Sequence, residues 1–172
     1  QIYHLAKRWP QALASAVPLL AQKPEGRFFA QLSFVAGDCH FRQEKWETSI
    51  KPLEDFVARL VEIKEKGKPK VTEGPNLDTA LIQLAVAYDR TGKRDLALGH
   101  LLTLVDHYPA VTPHLPLALS EQGRLAFQTG DLKRARSALE RFLKEDKANT
   151  APFNKTAPAQ RTRVNYYLGW VN

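Results

Sequence analysis

The chain has 172 residues, of which 44% are hydrophobic, and a formal net charge of +7. That length and apolar share support one sizeable core and exclude a wholly disordered chain. No apolar run reaches the roughly 20 residues of a membrane span, and the one cysteine, Cys39, excludes an internal disulfide framework while leaving the redox compartment open.

Apolar spacing predicts a first helix over 10–22, although Ser15 and Pro18 interrupt its most apolar stretch. The next two are expected over 30–43 and 46–64. The segment from Lys64 to Lys70 alternates lysines with Glu65, Gly67 and Pro69. Glycine and proline oppose a fixed binding helix, so this run reads as a solvated linker that holds much of the positive excess. Helices over 77–91 and 94–108 follow, broken at Gly92 and stopped at Pro109. A further pair is expected over 116–128 and 131–146, where Gly130-Asp131 supplies a helix stop and then an N-cap. The insert from Thr150 to Arg161 reads as loop or helix extension, and a last helix covers 158–171. No β-sheet is expected.

The helix pairs share one register. With Asp78 as position 1, positions 4, 7, 8, 11, 20, 24 and 27 are Leu81, Leu84, Ala85, Tyr88, Ala97, Leu101 and Leu104, with Pro109 at 32. With Pro116 as position 1 the same places hold Leu119, Gln122, Gly123, Ala126, Ala135, Leu139 and Phe142. With Ala30 they hold Ser33, Ala36, Gly37, His40, Ser49, Leu53 and Phe56, and Trp46 stands at 17. Small residues at 8 and 20 let two antiparallel helices approach closely, and the large ones fill the groove between hairpins. At the start, Tyr3, Trp9, Ala12, Ala16, Leu19 and Pro24 fit positions 11 to 32 of a partial unit. At the other end Leu168-Gly169 fit positions 7 and 8.

This pattern resembles the tetratricopeptide repeat, a helical hairpin of about 34 residues. The resemblance implies an all-α fold, a right-handed α-solenoid of three complete repeats plus a half repeat at each end. The units are expected at about 1–26, 30–63, 78–111, 116–149 and 162–172, as one solenoid segment. Gln1 as first residue, the absence of methionine and the apolar Trp170-Val171 at the end point to a piece of a longer chain.

Proteins of this family are interaction scaffolds, and the resemblance implies that partners lie in the concave groove lined by first helices. Positions 2, 5, 9, 12 and 13 select Phe34, Asp38, Phe41 and Arg42 in the first complete repeat. The second contributes Ile82, Val86, Asp89 and Arg90, and the third Leu117, Ser120, Arg124, Phe127 and Gln128. Arg163, Tyr166 and Trp170 extend the row. Mixed apolar, aromatic and arginine side chains are what binding surfaces are enriched in. A protein partner with an apolar and acidic segment is expected. The lysine and asparagine clamp that related repeats use for chaperone tails is missing, and Asp38 and Glu121 would repel a carboxylate.

Catalysis is not expected, nor is a cofactor, a metal or a small-molecule substrate. His100, His107 and His114 are spaced by seven, but Pro109 and Pro113 break the helix between them. Cys39 and His40 are adjacent, and adjacent helical residues point about 100° apart, so they make no catalytic pair. Glycine-rich phosphate loops are absent. The function read from the sequence is a scaffold segment in a larger assembly. The alternatives are a regulatory or oligomerising arm of an enzyme whose catalytic domain lies outside these residues, and an RNA-binding helical array. Uneven inserts break the regular period the last would need. Proline-containing inserts after second helices are similar to those of bacterial envelope proteins of the outer-membrane assembly and Tol-Pal accessory type. That likeness points to a periplasmic setting, with the cytoplasm as alternative.

Overall fold

The computed structural model describes residues 2–22, 26–63, 69–71, 74–108, 112–155 and 158–171. Helices α1 (Ile2–Leu5), α2 (Trp9–Ala21), α3 (Gly26–Arg42) and α4 (Trp46–Val57) precede a short hairpin of β1 (Val61–Ile63) and β2 (Pro69–Val71). Then come α5 (Leu77–Arg90), α6 (Arg94–Leu102), α7 (Leu115–Gln128), α8 (Leu132–Lys147) and α9 (Pro158–Val171). The fold is an all-α helical-repeat solenoid. Pairs α3/α4, α5/α6 and α7/α8 form antiparallel hairpins, and each packs on the next through α4/α5, α3/α5 and α6/α7. Pro24 and Pro109, both expected at position 32, and the lysine-rich run 64–68 lie outside the described residues.

The small positions work by close approach. A Cβ added to Gly37 would stand 2.6 Å from Leu53 Cγ, and one on Gly123 would stand 2.6 Å from Leu139 Cγ. Position 8 therefore faces position 24 of the same hairpin, and the large residue fills the space the glycine leaves. Ser49, Ala97 and Ala135, all at position 20, are fully buried. Leu81, Leu84, Leu101, Leu119 and Leu139 join Ala97 and Ala135 in one continuous core.

The turn between helices uses one residue in the left-handed region each time. Gly92 and Gly130 have φ of 79° and 83°, and Lys7 and Glu44, at the same position 15, have 57° and 58°. The residue after each complete-repeat turn sends its N–H back five residues: Lys45 to His40, Lys93 to Tyr88 and Asp131 to Ala126. This closes the last helical carbonyls. Asp131 then caps α8, its side chain accepting the Arg134 N–H at 3.0 Å.

Three details differ from expectation. The helix expected to reach residue 64 ends at Val57, because β1 and β2 pair antiparallel with Val61 opposite Val71 and Ile63 opposite Pro69. β-Branched residues around a Gly- and Pro-containing run favour a hairpin over a longer helix, so the insert holds a small two-stranded sheet. The helix expected to reach 108 is α-helical only to Leu102 and continues as a π-helical turn over Thr103–His107. The 150–161 insert does more than ride the edge: Phe153 is fully buried, its ring 5.3 Å from that of Phe142. Arg161 then grips Asp146 through two bonds of 2.7 and 2.9 Å, tying α9 to α8. Among the described residues, no helix is long and apolar enough to cross a membrane.

Candidate functional site

The row of first helices α3, α5, α7 and α9 divides into a sealed half and an open half. At the α3 end, Phe34 belongs to the core, its ring 5.2 Å from Phe56. Asp38 is 3% exposed. Its carboxylate meets His4 Nε2 at 2.7 Å and accepts from Arg42 Nε at 3.1 Å and from Gln83 Nε2. Position counting alone treats Phe34 and Asp38 as groove lining. Phe56 of the same hairpin covers Phe34, His4 and Gln83 from the flanking units close over Asp38, and Arg42, half-exposed, leans on Asp38.

Between α5, α7 and α9 the row opens into a pocket of about 480 Å³. Its lining includes Ile82 and Leu125, which are buried, Val86, which is half-buried, and Leu117 and Arg90, which are exposed. Arg124 spans the wall. Its Nη2 donates to Asp89 at 2.6 Å, its Nε to Glu121 at 2.7 Å and its Nη1 to Gln128 at 2.9 Å. Burial works against the Arg124 charge, and Glu121 and Asp89 outweigh it, so the guanidinium's pKa is raised. Arg163 reaches the other oxygen of Glu121 at 2.5 Å. Arg90 has no ion-pair partner among the described residues.

The arginines picked from the sequence therefore differ in availability. Arg124 is committed to Asp89 and Glu121, Arg163 is half-exposed and tethered, and Arg90 is open. Glu121 is the residue that position counting missed as part of this site, although its spacing of three from Arg124 on one helix face carried the signal. Phe127 lies half-buried with its ring 5.5 Å from Tyr167. Tyr166 and Trp170 are 60% and 66% exposed, with ring centres 6.3 Å apart. The row thus carries an aromatic pair at its α9 end. Gly169, beside that pair at position 8, has no atom within 4 Å of an added Cβ, unlike Gly37 and Gly123.

The polar links along this face recur by register. Position 12 of one unit bonds position 9 of the next at His4–Asp38 and again at Asp89–Arg124. At position 11, Tyr88 donates its hydroxyl to Glu54 of the preceding hairpin and stacks on His100 with centres 5.5 Å apart. Cys39 is buried, and that burial, helped by the Asp38 charge, pushes its thiol up to about 11. A thiol held protonated is a poor nucleophile. Among the described residues no group of three His, Cys, Asp or Glu is placed to hold a metal ion.

A family model described as "Tetratricopeptide repeat" matches residues 82–152, from the middle of α5 to just beyond α8. The hairpin of α3 and α4, outside that stretch, repeats its small and large positions. No curated protein matches the chain.

Proposed function

Starting from the chain's membership of the tetratricopeptide repeat family, we propose that it is a scaffold segment that holds an apolar and acidic stretch of a partner protein in the pocket between α5, α7 and α9. The family supplies binding surfaces rather than reacting groups, and it supports protein partners in general. The finer reading rests on one observation: Arg90, exposed and without an ion-pair partner among the described residues, lines a 480 Å³ pocket together with Ile82 and Val86. Arginine offers a flat fork that pairs with carboxylates and stacks on planar groups. Asp89 and Glu121 do not repel an acidic partner as strongly as their charges suggest, because Arg124 bridges the two while Arg94 pairs with Asp89 and Arg163 with Glu121. Tyr166 and Trp170 extend the surface with exposed aromatic area of the kind that anchors interfaces.

The protein setting carries over as part of this reading: a larger assembly, with the bacterial envelope as the compartment to test first. The test is capture of the native partner by the full-length protein, with a melt on each variant to confirm folding. Arg90→Glu and Val86→Asp are expected to weaken capture at least tenfold. Phe127→Ala and Trp170→Ala are expected to weaken it more than Lys66→Ala or Lys68→Ala, whose positions lie outside the described residues. Folded groove variants that bind normally, beside insert variants that do not, would move the working surface to the solenoid's edge.

A further inference from the structure

The residue that breaks the repeat pattern faces a different pocket. At position 7 the other first helices carry Ala36, Leu84 and Leu168, whereas α7 carries Gln122. Gln122 is 5% exposed, and its Oε1 has no hydrogen-bond partner among the described residues. A buried amide oxygen left unpaired is costly, and an apolar side chain would remove that cost. Gln122 is one of the residues lining a pocket of about 410 Å³ between the end of α6 and α8, with its Oε1 closed to solvent.

Two further features shape this pocket. Val105 and Asp106 come to its wall on the π-helical turn that continues α6. Such turns are concentrated at functional sites. The opposite wall, on α8, carries Lys133, Arg134 and Arg141. Arg134 pairs with Asp131 at 2.9 Å, and Arg141 lies 3.5 Å from Asp106. Lys133 is exposed and has no ion-pair partner among the described residues. Three cations against two carboxylates leave the rim positive.

We infer that this pocket is a second binding site, separate from the α5–α7–α9 groove, for a carboxylate-bearing peptide segment of a partner protein. The carboxylate sits on Lys133 and the α8 arginines. The Gln122 amide turns about its soft terminal torsion to bring Oε1 to the pocket, where a main-chain N–H donates to it, and a neighbouring apolar side chain rests on Val105 and Leu102. The site needs both parts: an anion alone leaves the amide unpaired, and an apolar segment alone leaves the cations unused.

The probe is the blocked peptide N-acetyl-Ala-Leu-Asp-Glu-Leu-Ala-amide, titrated into isotope-labelled protein and followed by NMR. Its counterpart with Asn and Gln in place of the two acids is the control. The expected result is a shift of the Gln122 side-chain amide and of α8 amides around Lys133 and Arg141. Binding should fall at least tenfold for the control peptide, for Gln122→Leu and for Lys133→Glu. Gln122→Leu restores the apolar position and is expected to melt no lower than the parent, so lost binding is not lost folding. The inference is overturned if Gln122→Leu binds the peptide unchanged, if the shifts fall only around Val86 and Arg90, or if inorganic phosphate gives the same shifts at lower concentration than the peptide. Shifts are read on different residues from those of the groove, so failure here and failure of the groove reading are distinguishable.

Discussion

Adding one methyl group at three glycines of this chain should give opposite signs. Gly37, Gly123 and Gly99 all lie inside helices, so replacing any of them by alanine gains about 0.8–1.0 kcal/mol of helix propensity. At Gly99 an added Cβ meets nothing within 4 Å, and that gain stands alone. At Gly37 the new carbon falls 2.6 Å from Leu53 Cγ and 3.1 Å from the Leu53 backbone nitrogen. Comfortable carbon contacts need roughly 3.5–4.0 Å. Leu53 is fully buried, and a backbone nitrogen cannot swing aside. Overpacking of this kind costs ~1–3 kcal/mol, enough to cancel or exceed the propensity gain. At Gly123 the atoms met belong to the Leu139 side chain alone, so its penalty should be smaller than at Gly37. Urea denaturation followed by circular dichroism gives the ranking: Gly99→Ala at or above the parent, Gly123→Ala lower, and Gly37→Ala lowest. If Gly37→Ala were as stable as Gly99→Ala, α3 and α4 would not touch where position 8 meets position 24.

Other consequences are open to the same assay. Ala97 is fully buried where α5 and α6 meet, with no room for the extra carbons of leucine, and Ala97→Leu should destabilise by ~1–3 kcal/mol; an unchanged melt would place Ala97 on the surface. Glu44 holds a left-handed backbone that costs a side-chain-bearing residue about 1–2 kcal/mol relative to glycine. After the entropy glycine loses on folding, Glu44→Gly should still stabilise by about 0.5–1 kcal/mol, and a lower melting point would contradict the turn geometry. Burial lowers the His100 pKa from its ordinary 6.5, with Glu54 opposing. The unfolded chain then binds the extra proton, so stability is complete above pH 6.5 and falls as the pH drops below it. His100→Gln should flatten that part of the pH profile, and an equally steep fall in the variant would assign it elsewhere.

The hairpin register was readable because Gly92 and Gly130 mark turns and the positions flanking them repeat. The same turn at Lys7 and Glu44 was not readable, since nothing in a lysine or glutamate announces a left-handed backbone. The 61–71 hairpin was hidden for a different reason: three-residue strands are too short to show alternation, and in the sequence Val61 and Ile63 continue the helical spacing of the apolar residues before them. Phe153 looked like a loop residue because its partner, Phe142, belongs to the preceding helix at a separation no local pattern records. In the groove, Ile82, Val86 and Arg90 could be picked from position alone. Phe34 and Asp38 could not be told from them, because what closes them, Phe56 and Gln83, comes from other helices. Arg124 shows the same limit. Its sequence position marks it as a groove cation, and only the neighbouring repeat reveals that Asp89 already occupies it.

The central claim is that the partner lies against the α5–α7–α9 pocket. The direct measurement places a photo-crosslinking amino acid singly at Val86, Leu117, Leu96 and Leu132 of the full-length protein and identifies adducts by mass spectrometry. Val86 and Leu117 line the pocket, whereas Leu96 and Leu132 are exposed apolar residues on second helices. The account predicts that one partner segment, carrying acidic and apolar residues, is captured from Val86 and Leu117. Capture from Leu96 or Leu132 with none from Val86 and Leu117 would contradict it.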